Sequence, residues 1–243
     1  LSSFGVPSGV LDIEKAAFKS SGLTKIEFYE SVKNIGAYAF SNCRNLLEIP
    51  NFTIRPYGNL YGNGVWYAFE GCEKITSIPN FKFTNINSFI GTYANCTNLE
   101  IIPHHNTNIV TSMNYAFDGC RQLKEIHINT YNVTTMYRTF RNTDLANLTV
   151  MPNFYIGKTT EAGEIFAESV NLTTPHNVMN LFKDYNLGYF STLRGGFKNS
   201  SIETVHDFEL YKTGYAWSMF EGCKNLTSVN NFSASIFSIV AIS

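Results

Sequence analysis

The chain has 243 residues, a formal net charge of −1 and 15% charged residues, against about 25% in an average soluble domain. That balance argues against nucleic acid as the main partner, because phosphate binding needs clustered positive charge. No apolar run reaches the roughly 18–20 residues that span a bilayer, the longest being 236–242, and 20 Phe, 14 Tyr and 2 Trp are too many for a disordered chain. The first residue is Leu1 and no secretory signal pattern follows it, so the expectation is a processed or trimmed chain.

Taken in chain order, one aromatic anchor recurs: Phe18, Phe40, Phe69, Tyr93, Phe117, Phe140, Phe166, Phe197 and Phe220. The intervals are 22, 29, 24, 24, 23, 26, 31 and 23 residues, a base period near 23 with insertions. Three positions after each anchor stands a small or thiol residue: Ser21, Cys43, Cys72, Cys96, Cys120, Thr143, Ser169, Ser200 and Cys223. An aliphatic pair spaced by three follows, as in Leu46/Ile49, Ile75/Ile78, Leu99/Ile102, Leu123/Ile126 and Leu226/Val229. Three copies, at Leu23/Ile26, Leu145/Leu148 and Ile202/Val205, lack one residue before that pair, and the copy at Phe166 puts Pro175 in its second position. Another pair precedes the anchor, as in Val10/Ile13, Val32/Ile35, Ile86/Phe89, Val110/Met113 and Val133/Met136.

A repeat of 20–29 residues with Leu and Ile at fixed phase fits a leucine-rich-repeat solenoid. Each unit cannot bury its apolar face alone and stacks on its neighbours. Segments such as Leu99-Glu-Ile-Ile102 suit short strands. The Tyr-Ala-Phe words suit a single helical or 3-10 turn, which Gly71, Gly119 and Gly222 would end at positive φ. Strand spacing of about 4.7–4.9 Å makes about nine coils a rod roughly 40 Å long. The whole of 1–243 reads as one such stack.

The pattern Ala-Phe-x-x-Cys-x-x-Leu-x-x-Ile is clearest at Ala39-Phe40-Ser-Asn-Cys43, Ala68-Phe69-Glu-Gly-Cys72 and Ala116-Phe117-Asp-Gly-Cys120. It resembles the BspA-type leucine-rich repeats over roughly residues 9–232. The resemblance implies a protein of bacterial or protist surfaces, extracellular and adhesive toward host proteins and other cells. Related repeats also occur in phage proteins.

No catalytic set, metal site or cofactor motif stands out. The five cysteines share one repeat slot with Ser and Thr, and their spacings are repeat periods rather than zinc spacings, so they read as a buried ladder of small residues. A disulfide between neighbours such as Cys96 and Cys120 stays open. His104, His105, His127, His176 and His206 read as solvated residues in turns between strands. Glu161, Glu164 and Glu168 read as a solvated turn rather than an acid–base pair. Eight Asn-x-Ser/Thr words, at Asn51, Asn95, Asn132, Asn147, Asn171, Asn199, Asn225 and Asn231, read as repeat grammar rather than glycosylation sites.

The insertions concentrate aromatic residues: Tyr57, Tyr61, Trp66 and Tyr67 in the first, Tyr185 and Tyr189 in a later one, and Tyr211, Tyr215 and Trp217 in the last. They share a repeat phase and so should project from one side, as partner-binding residues or as a cover for the stack's edge. The expected function is non-enzymatic recognition of a protein or glycan partner on a host or neighbouring cell. The rival is a structural virion or assembly component, such as a phage fibre or decoration protein, that uses the stack as a stiff spacer. The segment 233–243 is an apolar tail where a polar cap is usual, which suggests self-association or a continuing chain.

Overall fold

A computed structural model describes residues 2–50, 53–56, 65–80, 82–83, 85–145, 155, 158–175, 192–207, 209–210, 214–231 and 233–234. Its strands are short: β1 Ser3–Gly5, β2 Asp12–Ile13, β3 Lys25–Glu27, β4 Asn34–Ile35, β5 Thr53–Pro56, β6 Lys82–Phe83, β7 Ile101–His105, β8 Glu125–Ile128, β9 Thr204–His206, β10 Glu209–Leu210, β11 Ser228–Asn230 and β12 Ser233–Ala234. Every pairing is parallel, in the groups β1–β3, β2–β4–β5–β6, β7–β8, β9–β11 and β10–β12. Most strands pair with repeat equivalents, as Phe4 with Ile26, Ile13 with Ile35, Ile102 with Ile126 and Val205 with Val229. Single-residue bridges carry one ladder onward through Ser88, Ser112, Thr135, Glu161, Thr192 and Tyr215.

The aliphatic pairs line the interior. Leu46, Ile49, Ile75, Ile78, Leu99, Ile102, Leu123 and Ile126 are buried, as are Val32, Ile35, Ile86, Phe89, Val110, Met113, Val133 and Met136. A fully buried side chain of this size contributes about 1.5–3 kcal/mol. The last pair departs from the expectation: Leu226 is only partly buried and Val229 is exposed. Among the described residues its strand β11 has a neighbour on one side alone.

All nine anchors form one ring column. Successive centroids lie 5.3–6.2 Å apart, with planes within 26° of parallel. Each anchor N–H from Phe18 to Phe197 donates to a carbonyl of the next repeat, at 2.8–3.1 Å. The slot three residues on completes the link. Cys43, Cys72, Cys96 and Cys120 donate Sγ–H to the anchor carbonyls of Phe18, Phe40, Phe69 and Tyr93, at 3.0–3.2 Å. Thr143 does the same to Phe117 at 2.9 Å and Cys223 to Phe197 at 3.1 Å. The five thiols are free and buried, and burial pushes each one's pKa up.

The anchor turns are not the expected helical or 3-10 turns, and no helix occurs among the described residues. Two residues before and two after every anchor the chain has positive φ, from Ala16 and Ser20 through Tyr115 and Gly119 to Ser218 and Gly222. These left-handed residues break any right-handed run, so the N–H groups alternate in direction. In the Phe117 turn, Ala116, Asp118 and Cys120 bond back within the turn to Met113, Tyr115 and Phe117. Tyr115, Phe117 and Gly119 bond across to Tyr137, Thr139 and Arg141. The three expected positive-φ glycines are found, Gly71 at 66°, Gly119 at 75° and Gly222 at 71°.

Candidate recognition surface

The left-handed residue two places before the anchor turns its side chain out of the core. Where that residue is Tyr, a second aromatic row forms outside the first. Tyr38 and Tyr67 stack at 5.1 Å with planes 2° apart. Tyr67 then lies across Gly91, where a Cβ would stand 2.1 Å from its ring, and reaches Tyr115 at 6.5 Å. Tyr115 meets Tyr137, three residues before its own anchor, edge-on at 5.3 Å. Such ring pairs add about 0.5–1.5 kcal/mol each beyond buried area. All four rings are half-buried.

Charged groups border this row. Lys19 Nζ sits 5.1 Å from the Tyr38 ring centre and the Arg138 guanidinium 5.1 Å from that of Tyr137. Tyr137 donates its hydroxyl to Glu164 at 3.2 Å, and Arg138 Nε donates to the same carboxylate at 2.9 Å. Arg141 holds Asp118 through three contacts of 2.8–3.1 Å. Burial raises the Asp118 carboxyl, with Arg141 pulling the other way. Burial, then the Tyr115 and Tyr38 phenols and the Glu70 and Asp118 carboxylates, push Tyr67 up to about 12. Further along, Arg194 lies 4.1 Å from the Trp217 ring centre, and Lys198 pairs with Glu221 at 2.7 Å.

Of the aromatic residues singled out from sequence, Trp66, Tyr67, Tyr215 and Trp217 lie among the described residues, while Tyr57, Tyr61, Tyr185, Tyr189 and Tyr211 lie outside them. Trp66 is half-buried and donates its indole N–H to Ser88 Oγ at 3.0 Å, so it covers the neighbouring repeat. Tyr215 and Trp217 stand open, 60% and 43% exposed. Tyr38, Tyr115 and Tyr137 belong to the surface and were absent from the expected set. The Tyr-Ala-Phe word, present at 38–40, 67–69 and 115–117, was the available signal.

The expected turns are not found: His104 and His105 sit within β7, His127 within β8 and His206 at the end of β9, while His176 lies outside the described residues. His104 and His206 are exposed, as expected, but His105 is buried and His127 half-buried. His104 approaches the His127 ring at 4.9 Å, and His127 Nε2 lies 3.0 Å from Glu125. Glu161, Glu164 and Glu168 are not one solvated turn. Glu161 is in the bridge ladder, Glu164 binds Arg138, and Glu168 faces Arg141 at 3.7 Å. Among the described residues, no group of three metal-ligating side chains occurs and no helix is long and apolar enough to cross a membrane.

Parallel short strands, a single interior ring column and a leucine–isoleucine phase near 23 residues define a leucine-rich-repeat protein. The family model for the BspA type leucine rich repeat region matches residues 1–56 and 66–173 in six copies, more than half of the chain. The chain belongs to that family. Among solved structures it is similar to the T. pallidum leucine rich repeat protein, with 19% identity over 69% of this chain and 76% of that one and a TM-score of 0.50. That likeness concerns the fold alone. A leucine rich cell surface protein from Faecalibacterium prausnitzii A2-165 aligns over 98% of this chain and 88% of its own, at 14% identity and a TM-score of 0.41. No curated protein matches the chain.

Proposed function

We propose that this chain is a non-enzymatic recognition module, displayed at a cell surface, that holds protein or glycan partners against its outer aromatic row. The repeats stack as a nine-coil solenoid that serves as a stiff scaffold. The reading rests on one observation. The core already has its own complete ring column, and Tyr38, Tyr67, Tyr115 and Tyr137 form a second row outside it. Half-buried tyrosines held rigid by stacking lose little entropy on contact, which suits them to anchoring a partner. Exposed Trp217 and Tyr215 extend the contact toward the later repeats. Membership of a family of surface repeats supports the same role.

The test is binding of the purified chain to a glycan array and to cultured cell monolayers, compared with a Tyr67→Ser/Tyr115→Ser variant. Loss of at least tenfold in affinity, with an unchanged circular dichroism spectrum, is the expected result. Full binding by the variant to an identified partner removes the row from the site. A stiff spacer with no partner of its own binds neither array nor cells.

A further inference from the structure

The interior link between repeats depends on which residue fills the slot after the anchor. Cysteine reaches the preceding anchor's carbonyl at Cys43, Cys72, Cys96, Cys120 and Cys223, and Thr143 does so through its hydroxyl. The C–S bond is long, and the β-branch of threonine restricts χ1 and aims the oxygen. Serine has neither aid. Ser21 follows the first anchor, and the other two serine slots both miss the link. Ser200 turns back to the carbonyl of its own anchor, Phe197, at 2.5 Å, the kind of local bond that serine forms readily. Ser169 Oγ is buried with no hydrogen-bond partner. The seams between Phe140 and Phe166 and between Phe166 and Phe197 therefore lack the slot link that the other seams of the column have.

Ion pairs on the outside separate the two. Across the first, Arg138 holds Glu164 at 2.9 Å and Arg141 faces Glu168 at 3.7 Å. Across the seam that follows both, from Phe197 to Phe220, Lys198 holds Glu221 at 2.7 Å. Among the described residues no ion pair joins the Phe166 repeat to the Phe197 repeat. The planes of Phe166 and Phe197 also diverge by 26°, the largest angle in the column. Backbone bonds still cross there, from Phe166 N–H to Gly196 and from Glu164 N–H to Arg194, so the closed stack is continuous. Beyond that seam the described residues hold two anchors, Phe197 and Phe220. About three repeats are needed for a stable stack, so parting here unfolds what lies beyond instead of releasing a folded block.

We propose that the repeats anchored at Phe197 and Phe220 are a separate opening unit, which unfolds together at the Phe166–Phe197 seam while the repeats before it stay folded. The tyrosine row from Tyr38 to Tyr137 lies wholly before the seam, and exposed Tyr215 and Trp217 lie beyond it. Opening dissolves the second group of rings and leaves the first in place.

Native-state hydrogen exchange of the whole chain, read by mass spectrometry on peptides from each anchor turn, tests this. The Phe197 and Phe220 turns are expected to share one rate, roughly tenfold or more above that of the Phe117 turn. The Phe40 turn, equally close to the other end of the column but linked through Cys72, stays slow. Ser200→Cys supplies the missing donor and slows both late turns together; Ser200→Thr, on the pattern of Thr143, serves if the cysteine variant does not fold. A Phe197 turn as slow as the Phe117 turn overturns the proposal. So does a Phe40 turn as fast as the Phe197 turn, or a graded rise from Phe140 to Phe220, either of which is plain fraying of an end. Unchanged late-turn rates in a folded Ser200 variant overturn it as well.

Discussion

Tyr93 is the only anchor of the nine that carries a hydroxyl, and its ring is wholly buried between Phe69 and Phe117. Among the described residues its phenol oxygen has no hydrogen-bond partner. A buried polar group left unsatisfied costs about 1–3 kcal/mol. Tyr93→Phe is therefore expected to raise stability by about 1 kcal/mol or more in urea unfolding. Phe117→Ala, one place along the same column, removes a ring packed on both faces and is expected to cost about 3–5 kcal/mol. A Phe117→Ala protein of near wild-type stability would contradict the interior phase of the column. The anchor column was legible in the sequence because an interior ring can have only its counterparts as neighbours. The cysteine slot was legible for the same reason, and Ser and Thr at the equivalent places marked it as small and hydrogen-bonding. The donation of each thiol to the preceding anchor's carbonyl was not legible, since spacing along one chain says nothing of which atom lies a repeat away.

At the scale of the element, the anchor turn is where sequence reading and structure diverge. Gly71 and Gly119 announce positive φ after the anchor, but Tyr38, Arg138 and Glu164 occupy the equally left-handed place before it. Side chains there carry a strain of about 1–2 kcal/mol, offset by the cross-repeat hydrogen bonds that only this conformation permits. Nothing in a Tyr-Ala-Phe word separates that conformation from a helical turn, so Tyr38, Tyr115 and Tyr137 escaped notice and Tyr67 stood out only as an insertion residue. The row has its own signature in alkali. Tyr67 binds its proton more tightly in the folded chain, with a value pushed up to about 12 from an ordinary 10. Its stabilising contribution is therefore complete below pH 10 and is lost as pH climbs from about 10 to about 12. Phenolate absorbance at 295 nm should show a late phase to which Tyr67, Tyr137 and the buried Tyr93 contribute, and which Tyr67→Phe reduces by one tyrosine. Titration of every tyrosine near pH 10 would show the stack to be loose.

For the whole molecule, parallel pairing between equivalents makes each repeat a copy of the same set of contacts. The register was readable from the sequence because one column of rings and two columns of aliphatics must align at once. The insertions were not, because an insertion has no counterpart in the neighbouring repeats to fix its register. The short spacer at Asp144 was readable as a missing residue, yet the cavity of about 300 Å³ beside it is lined from three repeats and is not legible in any one of them. Copying of contacts yields a direct prediction. Thr135 bonds Ser112 Oγ one period of 23 residues away. Excising residues 112–134 joins Thr111 to Thr135, sets Thr135 beside Ser88 and brings Phe140 onto Tyr93. The shortened chain should fold with the same circular dichroism spectrum per residue and a lower midpoint of thermal unfolding, since one interface is lost. An unfolded product would show that the repeats are not interchangeable.

That interchangeability bears on inheritance as well as on folding. A gene encoding such a stack can gain or lose one whole period by unequal recombination and still specify the same aligned columns of rings and aliphatics. The length of the molecule is then a trait that changes in a single step without any new core having to be invented.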